Sequence, residues 1–189
     1  MENKIILAIV GLPGSGKTEA IEYLKEKLGW PKIYFGDVTF DRMKETGLEI
    51  NEANERKTRE DIRKEFGMGA YAILNIPKIE KLFEQGPLFI ESLYSWEEYL
   101  EIKNIFGNYF KVLAIYASPE TRINRLKNRP VRPLREEELI SRDYSQIENL
   151  HNAGPIARAD WTIVNEGSKE DLEKELDKII FQIKEKLNL

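Results

Sequence analysis

The sequence predicts an α/β fold: a three-layer, doubly wound, parallel sheet of five strands. Three observations support this prediction. Short apolar runs alternate along the chain with amphipathic helical patterns. The runs are continuous, as in parallel strands that are covered on both faces. A glycine-rich turn at residues 11–18 separates the first run from the first helical pattern. In such a fold ligands bind at the carboxyl ends of the strands, so functional residues are expected there.

Strands are predicted at residues 4–10, 32–35, 88–91, 110–117 and 161–165. Helices are predicted at residues 17–28, 95–106, 119–127 and 168–187. The last helix begins with a capping-box pattern, in which Ser168 precedes Asp171 by three residues. These elements make one domain of residues 1–189 the simplest organisation.

Two stretches are longer than a simple connection between a strand and a helix. Residues 38–85 contain two or three predicted helices, and their expected breaks are at Gly47, Gly67, Gly69 and Pro77. Residues 129–155 begin with Arg-Pro-Val-Arg-Pro, which cannot form a regular helix, and continue as a charged helix.

Composition excludes several classes of protein. Charged residues make up 33% of the chain, but the net charge is only −4. This balance argues against broad binding to nucleic acid or to a membrane surface, and no apolar run is long enough to span a bilayer. Cysteine is absent and there is one histidine, so Cys-type and His-cluster metal sites are excluded. The chain start leaves no place for a signal peptide, and a cytoplasmic protein is expected.

The segment after the first strand has the phosphate-binding P-loop pattern G-x-x-x-x-G-K-T. Its glycines allow successive backbone N–H groups to point at phosphate oxygens, and the helix that follows attracts anions to its N-terminus. Lys17 can reach the β- and γ-phosphates, and the Thr18 hydroxyl can ligate Mg²⁺. The predicted phosphate-binding residues are Gly11, Pro13, Gly14, Ser15, Gly16, Lys17 and Thr18. The sequence therefore predicts a site for a nucleoside triphosphate and Mg²⁺. ATP and GTP both fit this motif, and ATP is the expected donor.

Two carboxylates follow predicted strands and are expected beside the P-loop. Asp37 comes after the second strand, and Glu91 ends the third strand. A carboxylate at this edge can hold Mg²⁺ through water or accept a proton from an attacking hydroxyl. Alternatively, Asp37 could cap a helix and Glu91 could face solvent.

Two sets of arginines have helical spacing: Arg56, Arg59 and Arg63, and Arg122, Arg125 and Arg129. Each set can bind a phosphate-bearing ligand, because guanidinium groups pair with phosphate in a bidentate geometry. Acidic residues interleave the first set, which is also typical of a solvated helix. Arg59 and Arg63 are candidates for binding the acceptor. Arg125 and Arg129, with Arg132 shortly after them, are candidates for closing over the transferring group.

Together these motifs resemble the nucleoside-monophosphate-kinase superfamily, most closely dephospho-CoA kinase and adenylate-kinase-related proteins, and within these an archaeal branch. Residues 36–42 are similar to the element that opens the monophosphate-binding insertion of adenylate kinases, which implies that Arg42 contacts the acceptor phosphate. Residues 117–129 are similar to the helix that leads into their lid, which implies that Arg125 and Arg129 hold adenine and phosphates. Residues 159–168, including Asn165, resemble the loop that flanks the donor adenine in dephospho-CoA kinases.

The resemblance implies a kinase that uses ATP and Mg²⁺ to phosphorylate a small acceptor, such as a nucleoside monophosphate or dephospho-CoA. Residues 38–85 would then bind the acceptor, and residues 129–155 would form a lid. Under this interpretation Lys17, Asp37 and Arg129 are catalytic, and Thr18 and Glu91 place the metal.

The run Glu91-Ser92-Leu93-Tyr94 replaces the Asp-Gly pair that is usual in these families. This departure suggests an alternative, an ATP-binding or ATP-hydrolysing assembly or regulatory factor on the same scaffold. Tyr94, Trp96 and Tyr99 would then form an exposed aromatic patch for a macromolecular partner, although such aromatics also commonly pack in a core.

Overall fold

The computed structural model describes residues 4–128 and 135–187. In this part of the chain five strands form one sheet, and every neighbouring pair is parallel. The strands are β1 Ile6–Val10, β2 Lys32–Tyr34, β3 Leu88–Glu91, β4 Phe110–Tyr116 and β5 Trp161–Val164. Their order across the sheet is β2-β3-β1-β4-β5. The predicted fold class is confirmed, and each predicted strand is present within two residues of its expected bounds.

The helices within the described ranges are α1 Lys17–Leu28, α2 Asp37–Glu45, α3 Glu52–Phe66, α4 Ala70–Gln85, α5 Trp96–Phe106, α6 Pro119–Lys127, α7 Glu136–Glu148, α8 Ala153–Ala157 and α9 Lys169–Leu187. The four helices whose bounds the sequence predicts, α1, α5, α6 and α9, are confirmed within one residue. The expected break at Pro77 is wrong, because this residue lies inside α4. Ala72 and Ile79 of that helix are completely buried, and their packing offsets the cost of an internal proline.

The central strand β1 shows why the apolar runs are continuous. Ile6 and Ala8 belong to a core that α4 and α5 cover, whereas Leu7 and Ile9 belong to a second core that α1 and α9 cover. Since successive side chains of a strand point to opposite faces, both faces of β1 must be apolar. The sheet therefore lies between two helical layers, as predicted.

The order of the strands places the glycine-rich loop at a crevice. From the central β1 the chain winds to β2 and β3 on one side, and later to β4 and β5 on the other. Ligands of open α/β sheets bind where this direction reverses, at the carboxyl ends of the strands. The loop leaves β1 at that point, and Glu91 of β3 is paired in register with Ile9 of β1. Within the two described ranges, no helix is both long and apolar enough to cross a membrane.

Candidate functional site

The glycine-rich loop is held in a shape that side chains at two positions would prevent. Gly11 and Gly16 have φ angles of 147° and 101°. A Cβ atom on Gly11 would lie 2.3 Å from the Ile115 carbonyl oxygen, and one on Gly16 would lie 2.4 Å from Nδ2 of Asn165. The positive φ angles favour glycine, and the close neighbours exclude a side chain. The packing of β4 and of the segment after β5 thus fixes the loop.

Lys17 and Thr18 begin α1, directly after this loop. The Lys17 ammonium donates a hydrogen bond of 2.9 Å to the Leu12 carbonyl oxygen within the loop. The pKa of Lys17 is lowered to about 8, mainly by burial and also by the Arg122 charge, while the charges of Glu91 and Asp143 partly oppose these two effects. The Thr18 side chain is exposed in the first helical turn. A bound phosphate would supply the negative charge that stabilises a lysine ammonium in such surroundings.

Asn165 connects the end of β5 to the loop. Its Nδ2 donates to the Ser15 carbonyl oxygen at 2.8 Å. Beside it, Nη2 of Arg125 donates to the Gly167 carbonyl oxygen at 3.0 Å. Nη1 of Arg125 is buried and has no hydrogen-bond partner among the described residues. These side chains line a cavity of 160 Å³ beside Gly16. An unpartnered guanidinium nitrogen at this place fits an acceptor group on a ligand.

A second, larger cavity of 270 Å³ lies near the ends of β2 and β3, between α2, α3, α5 and α7. Its polar lining includes Tyr34, Arg59, Arg63, Tyr71, Tyr94 and Glu98. It combines two guanidinium groups with the rings of three tyrosines and of Phe40, which is a suitable lining for a ligand that has an anionic group and a planar part.

The two arginines of this cavity come from α3. Nε of Arg63 is buried without a hydrogen-bond partner in the described part of the chain, and its guanidinium lies 5.1 Å from the centre of the Tyr71 ring. Arg59 donates to Glu55 of the same helix at 3.2 Å. Arg56 lies outside this cavity; its side chain is 77% exposed and paired with Glu60. The structure thus brings together two of the three arginines of the first set.

Glu98, in the same cavity, has no role in the sequence analysis. It is 1% exposed, and one of its oxygens accepts the backbone N–H groups of Tyr94 and Ser95 at 2.7 and 3.0 Å. Burial raises the pKa of Glu98 to about 7, although these two hydrogen bonds and the Arg63 charge lower it. The pattern Ser95-x-x-Glu98 is a capping box and could have indicated this residue, but nothing local indicates its burial in a cavity.

The chain turns at Ser92, directly after β3, and the side chains of Ser92 and Tyr94 line the same cavity. The φ angle of Ser92 is 67°, which is uncommon for a residue other than glycine. Its hydroxyl lies 3.0 Å from that of Tyr94, and both residues line the cavity. The backbone here has a conformation that glycine adopts without strain, so Ser92 occupies a turn position that favours glycine while adding a hydroxyl.

The prediction of an exposed aromatic patch, made under the alternative interpretation, is wrong. Tyr99 is buried, Trp96 stacks on its ring at 4.8 Å, and Tyr94 lines the cavity. Gly154 of α8 packs so closely on Trp96 that a Cβ atom there would lie 2.7 Å from the indole. These aromatics therefore join α5 to the core.

Other predicted site residues lie away from the cavity or outside the described residues. Arg42 pairs with Glu65 at 2.9 Å, and Asp37 lies at the start of α2, 3.6 Å from the Lys78 ammonium. Neither side chain lines the cavity between α2 and α7. The predictions for Arg129 and Arg132 fall on residues 129–134, outside the described residues.

Glu91 lies at the end of β3, as predicted, and belongs to a polar network. One of its oxygens pairs with the Lys32 ammonium at 2.6 Å, and Lys32 also pairs with Glu22 of α1 at 3.0 Å. Its charge opposes the lowering of the Lys17 pKa, and Lys32 connects its carboxylate to α1, the helix that follows the P-loop.

Arg122, from the second arginine set, is used inside the protein. It is 2% exposed and binds Asp143 of α7 through two hydrogen bonds, at 2.8 and 2.5 Å. It also donates to the carbonyl oxygens of Pro13, in the P-loop, and Ala117. No short sequence pattern distinguishes this arginine from Arg125, three residues later.

Comparisons with known proteins agree with this geometry. The model of the AAA_18 family, described as an AAA domain, matches residues 7–147. The chain is 32% identical to a UPF0200 protein of Thermococcus gammatolerans, over 97% of this chain and 98% of that protein. It is 35% identical to a UPF0200 protein of Pyrococcus furiosus, over 95% of this chain and 97% of that protein.

Solved structures share the fold at low identity. TT1252 from Thermus thermophilus has a TM-score of 0.65 at 22% identity, with coverage of 95% of this chain and 97% of that chain. A shikimate kinase from Bacteroides thetaiotaomicron has a TM-score of 0.58 at 15% identity, with coverage of 98% and 99%. A gluconokinase from Sinorhizobium meliloti has a TM-score of 0.57 at 15% identity, with coverage of 96% of this chain and 99% of that chain. The kinase-like P-loop fold is thereby confirmed, and with it a fold suited to nucleotide binding. The chain belongs to the AAA_18 family of P-loop proteins and to the archaeal UPF0200 proteins.

Proposed function

We propose that this protein transfers the γ-phosphoryl group of Mg-ATP to a small acceptor that carries an anionic group. The observation that carries the proposal is Arg63, whose buried Nε has no partner among the described residues and whose side chain lines a 270 Å³ cavity. That cavity lies at the same edge of the sheet as the P-loop. Phosphoryl transfer requires a donor site and an acceptor site side by side, with positive charge near both.

On the donor side, the backbone N–H groups of the loop and Lys17 would bind the triphosphate. Mg²⁺ usually takes one or two protein oxygens and completes its shell with phosphate and water. The exposed Thr18 hydroxyl at the start of α1 fits this demand. Glu91 remains the proposed ligand through water, in competition with its ion pair to Lys32. The unpartnered Nη1 of Arg125 would bind another part of the donor.

On the acceptor side, Arg59 and Arg63 would hold the anionic group and the tyrosine rings would contact the rest. A phosphate acceptor is already largely ionised at neutral pH and needs no general base, whereas a hydroxyl acceptor needs one. Asp37, the predicted base, lies beside Lys78 and not in the cavity wall. This placement favours a nucleoside monophosphate over a hydroxyl acceptor such as dephospho-CoA.

The direct test measures ADP release from Mg-ATP, alone and with a panel of nucleoside monophosphates, deoxynucleoside monophosphates and dephospho-CoA. We expect slow release with ATP alone, and stoichiometric phosphorylated product with one acceptor. Lys17→Ala should abolish both. ADP release that ignores every acceptor, yet disappears in Lys17→Ala, would contradict a kinase and favour the assembly or regulatory factor.

The acceptor site is tested by a matched pair of variants on α3. Arg63→Met should raise KM for the acceptor by about tenfold or more, because one charge-assisted hydrogen bond contributes roughly 1.5–3 kcal/mol. Arg56→Met makes the same change on the exposed part of the same helix and should leave KM unchanged. Equal effects of the two variants would show that this cavity is not the acceptor site.

A further inference from the structure

Helix α7 contributes to both sites. Its Asp143 binds Arg122, which is itself bonded to the P-loop. Gln146, three residues further along, lines the acceptor cavity together with Leu150, which follows the helix. Residues three apart lie on the same side of a helix, so one surface of α7 reaches from the donor loop to the acceptor cavity.

The Arg122–Asp143 pair is a buried contact that links this helix to the donor side. The Arg122 side chain is 2% exposed and that of Asp143 is 16% exposed, and the pair is bidentate. The same guanidinium donates to the Pro13 carbonyl oxygen in the P-loop at 3.2 Å. Charge-assisted, bidentate pairs fix geometry better than single contacts. A movement of α7 would therefore disturb the Arg122 guanidinium, which is bonded to the P-loop. A movement of the P-loop would likewise disturb α7.

Apolar packing does little to hold α7 in place. All of α7 is described, and Leu139 is its one buried side chain, packed against Leu126 and Ile123 of α6. The end of the helix is fixed by Asn152, whose side chain donates to Gln146 at 2.8 Å. With so little buried apolar surface, the position of α7 depends on the polar contacts of Asp143 and Gln146, in the C-terminal half of the helix.

We propose that Arg122 and Asp143 are a positioning pair that couples the two sites: they hold α7 so that Gln146 and Leu150 complete the acceptor cavity when the P-loop binds nucleotide. The inference rests on the proposed function for the meaning of the acceptor cavity, but the coupling itself involves only nucleotide binding. Coupling is reciprocal, so nucleotide should stabilise α7, and a loosened α7 should weaken the response of the second site to nucleotide.

The experiment is hydrogen exchange of α7 amides, with and without saturating Mg-AMP-PNP. In the native protein, nucleotide should slow exchange in α7 by about fivefold or more, in the usual range of coupling between sites. Asp143→Asn should abolish this difference while nucleotide still binds. The matched control is Glu136→Gln, which breaks another α6–α7 ion pair, the exposed one with Lys127 at 2.9 Å, and should respond like the native protein.

A second variant protects the test against simple unfolding. Asp143→Asn leaves the Arg122 charge buried, whereas Arg122→Met combined with Asp143→Leu removes both charges, a replacement that proteins often tolerate. This double variant should fold, bind Mg-AMP-PNP and lack the nucleotide-dependent protection of α7. Protection that persists in the double variant, or is absent from the native protein with nucleotide bound, would overturn the proposal. A native protein that shows the protection but phosphorylates no acceptor would refute the proposed function alone.

Discussion

Replacing Glu98 with glutamine is expected to stabilise the protein at pH 8 and to remove part of the pH dependence of its stability. The carboxyl of Glu98 is 1% exposed, and one of its oxygens accepts two backbone N–H groups at the start of α5. The carbonyl oxygen of a glutamine can accept the same bonds, since Gln also serves in a capping box. The substitution therefore removes a titrating group while keeping the local hydrogen bonds.

The sign and size follow from the pKa. Burial raises the pKa of Glu98 from an ordinary 4.5 to about 7. Between those values the folded protein retains a proton that the unfolded chain has lost. The free energy of unfolding therefore decreases as the pH rises through this window and is level above it. From pH 5 to pH 8 this contribution is roughly 2–3 kcal/mol, at about 1.4 kcal/mol for each pH unit.

Urea unfolding at pH 5 and pH 8 tests the argument. The native protein should lose more free energy of unfolding between these pH values than Glu98→Gln, by roughly 2–3 kcal/mol. Glu101→Gln changes a partly exposed carboxylate one turn along the same helix and should follow the native protein. If Glu98→Gln and the native protein change in parallel, the carboxyl is already ionised in the folded state at pH 5, and the reasoning fails.

Three further changes and one control variant test the loop and the cavity. Gly16→Ala would place a Cβ 2.4 Å from Asn165 Nδ2 and should weaken binding of Mg-AMP-PNP by about tenfold or more, measured by titration calorimetry. Gly29→Ala, with a φ of 68° but open space around it, should cost about 1 kcal/mol of stability and leave the affinity unchanged; equal affinities for the two variants would refute the packing argument. Asn165→Ala removes the hydrogen bond to the loop and should weaken the same binding by about fivefold, with unchanged circular dichroism, so an unaltered affinity would contradict its role. Thr39→Val leaves the Tyr71 hydroxyl without its 2.7 Å partner and should lower the free energy of unfolding by about 1–3 kcal/mol in urea, whereas an unchanged midpoint would mean that this hydroxyl finds another partner.

The sheet and the donor loop could be predicted because their signals are local. The bounds of α1 and β3 were predictable to the residue, from an amphipathic pattern after a P-loop and from a short apolar run. Each signal lies within about a dozen residues. The fold makes the same demand as the local pattern, since parallel strands need apolar side chains on both faces.

The acceptor cavity could be predicted only in part, because the orientation of α3 depends on tertiary packing. Arg56, Arg59 and Arg63 have nearly equivalent helical spacing in the sequence. The buried side chains of Thr58 and Ile62 fix the rotation of the helix, and each is followed directly by an arginine of the cavity. Arg56 is left on the exposed side.

The position of Arg42 has a similar cause. Its neighbours Thr39 and Met43 are buried, so α2 turns those two residues inward and leaves Arg42 beside Glu65 on the flank. The similarity of residues 36–42 to the element in adenylate kinases cannot predict the rotation of α2, because this rotation depends on packing against helices that come later in the chain.

Satisfaction of hydrogen bonds, more than position, separates arginines that could bind a ligand from those that only hold the fold. In Arg122 all three guanidinium nitrogens donate to protein groups, so each of them has a hydrogen-bond partner without a ligand. Arg125, on the same helix, has one buried nitrogen without a partner among the described residues, and so does Arg63. Buried donors are rarely left unpaired in native proteins, so each of these two nitrogens calls for an acceptor. One of them lies beside the P-loop and the other lies in the cavity across the sheet edge, which is the arrangement that a donor and an acceptor of phosphate would require.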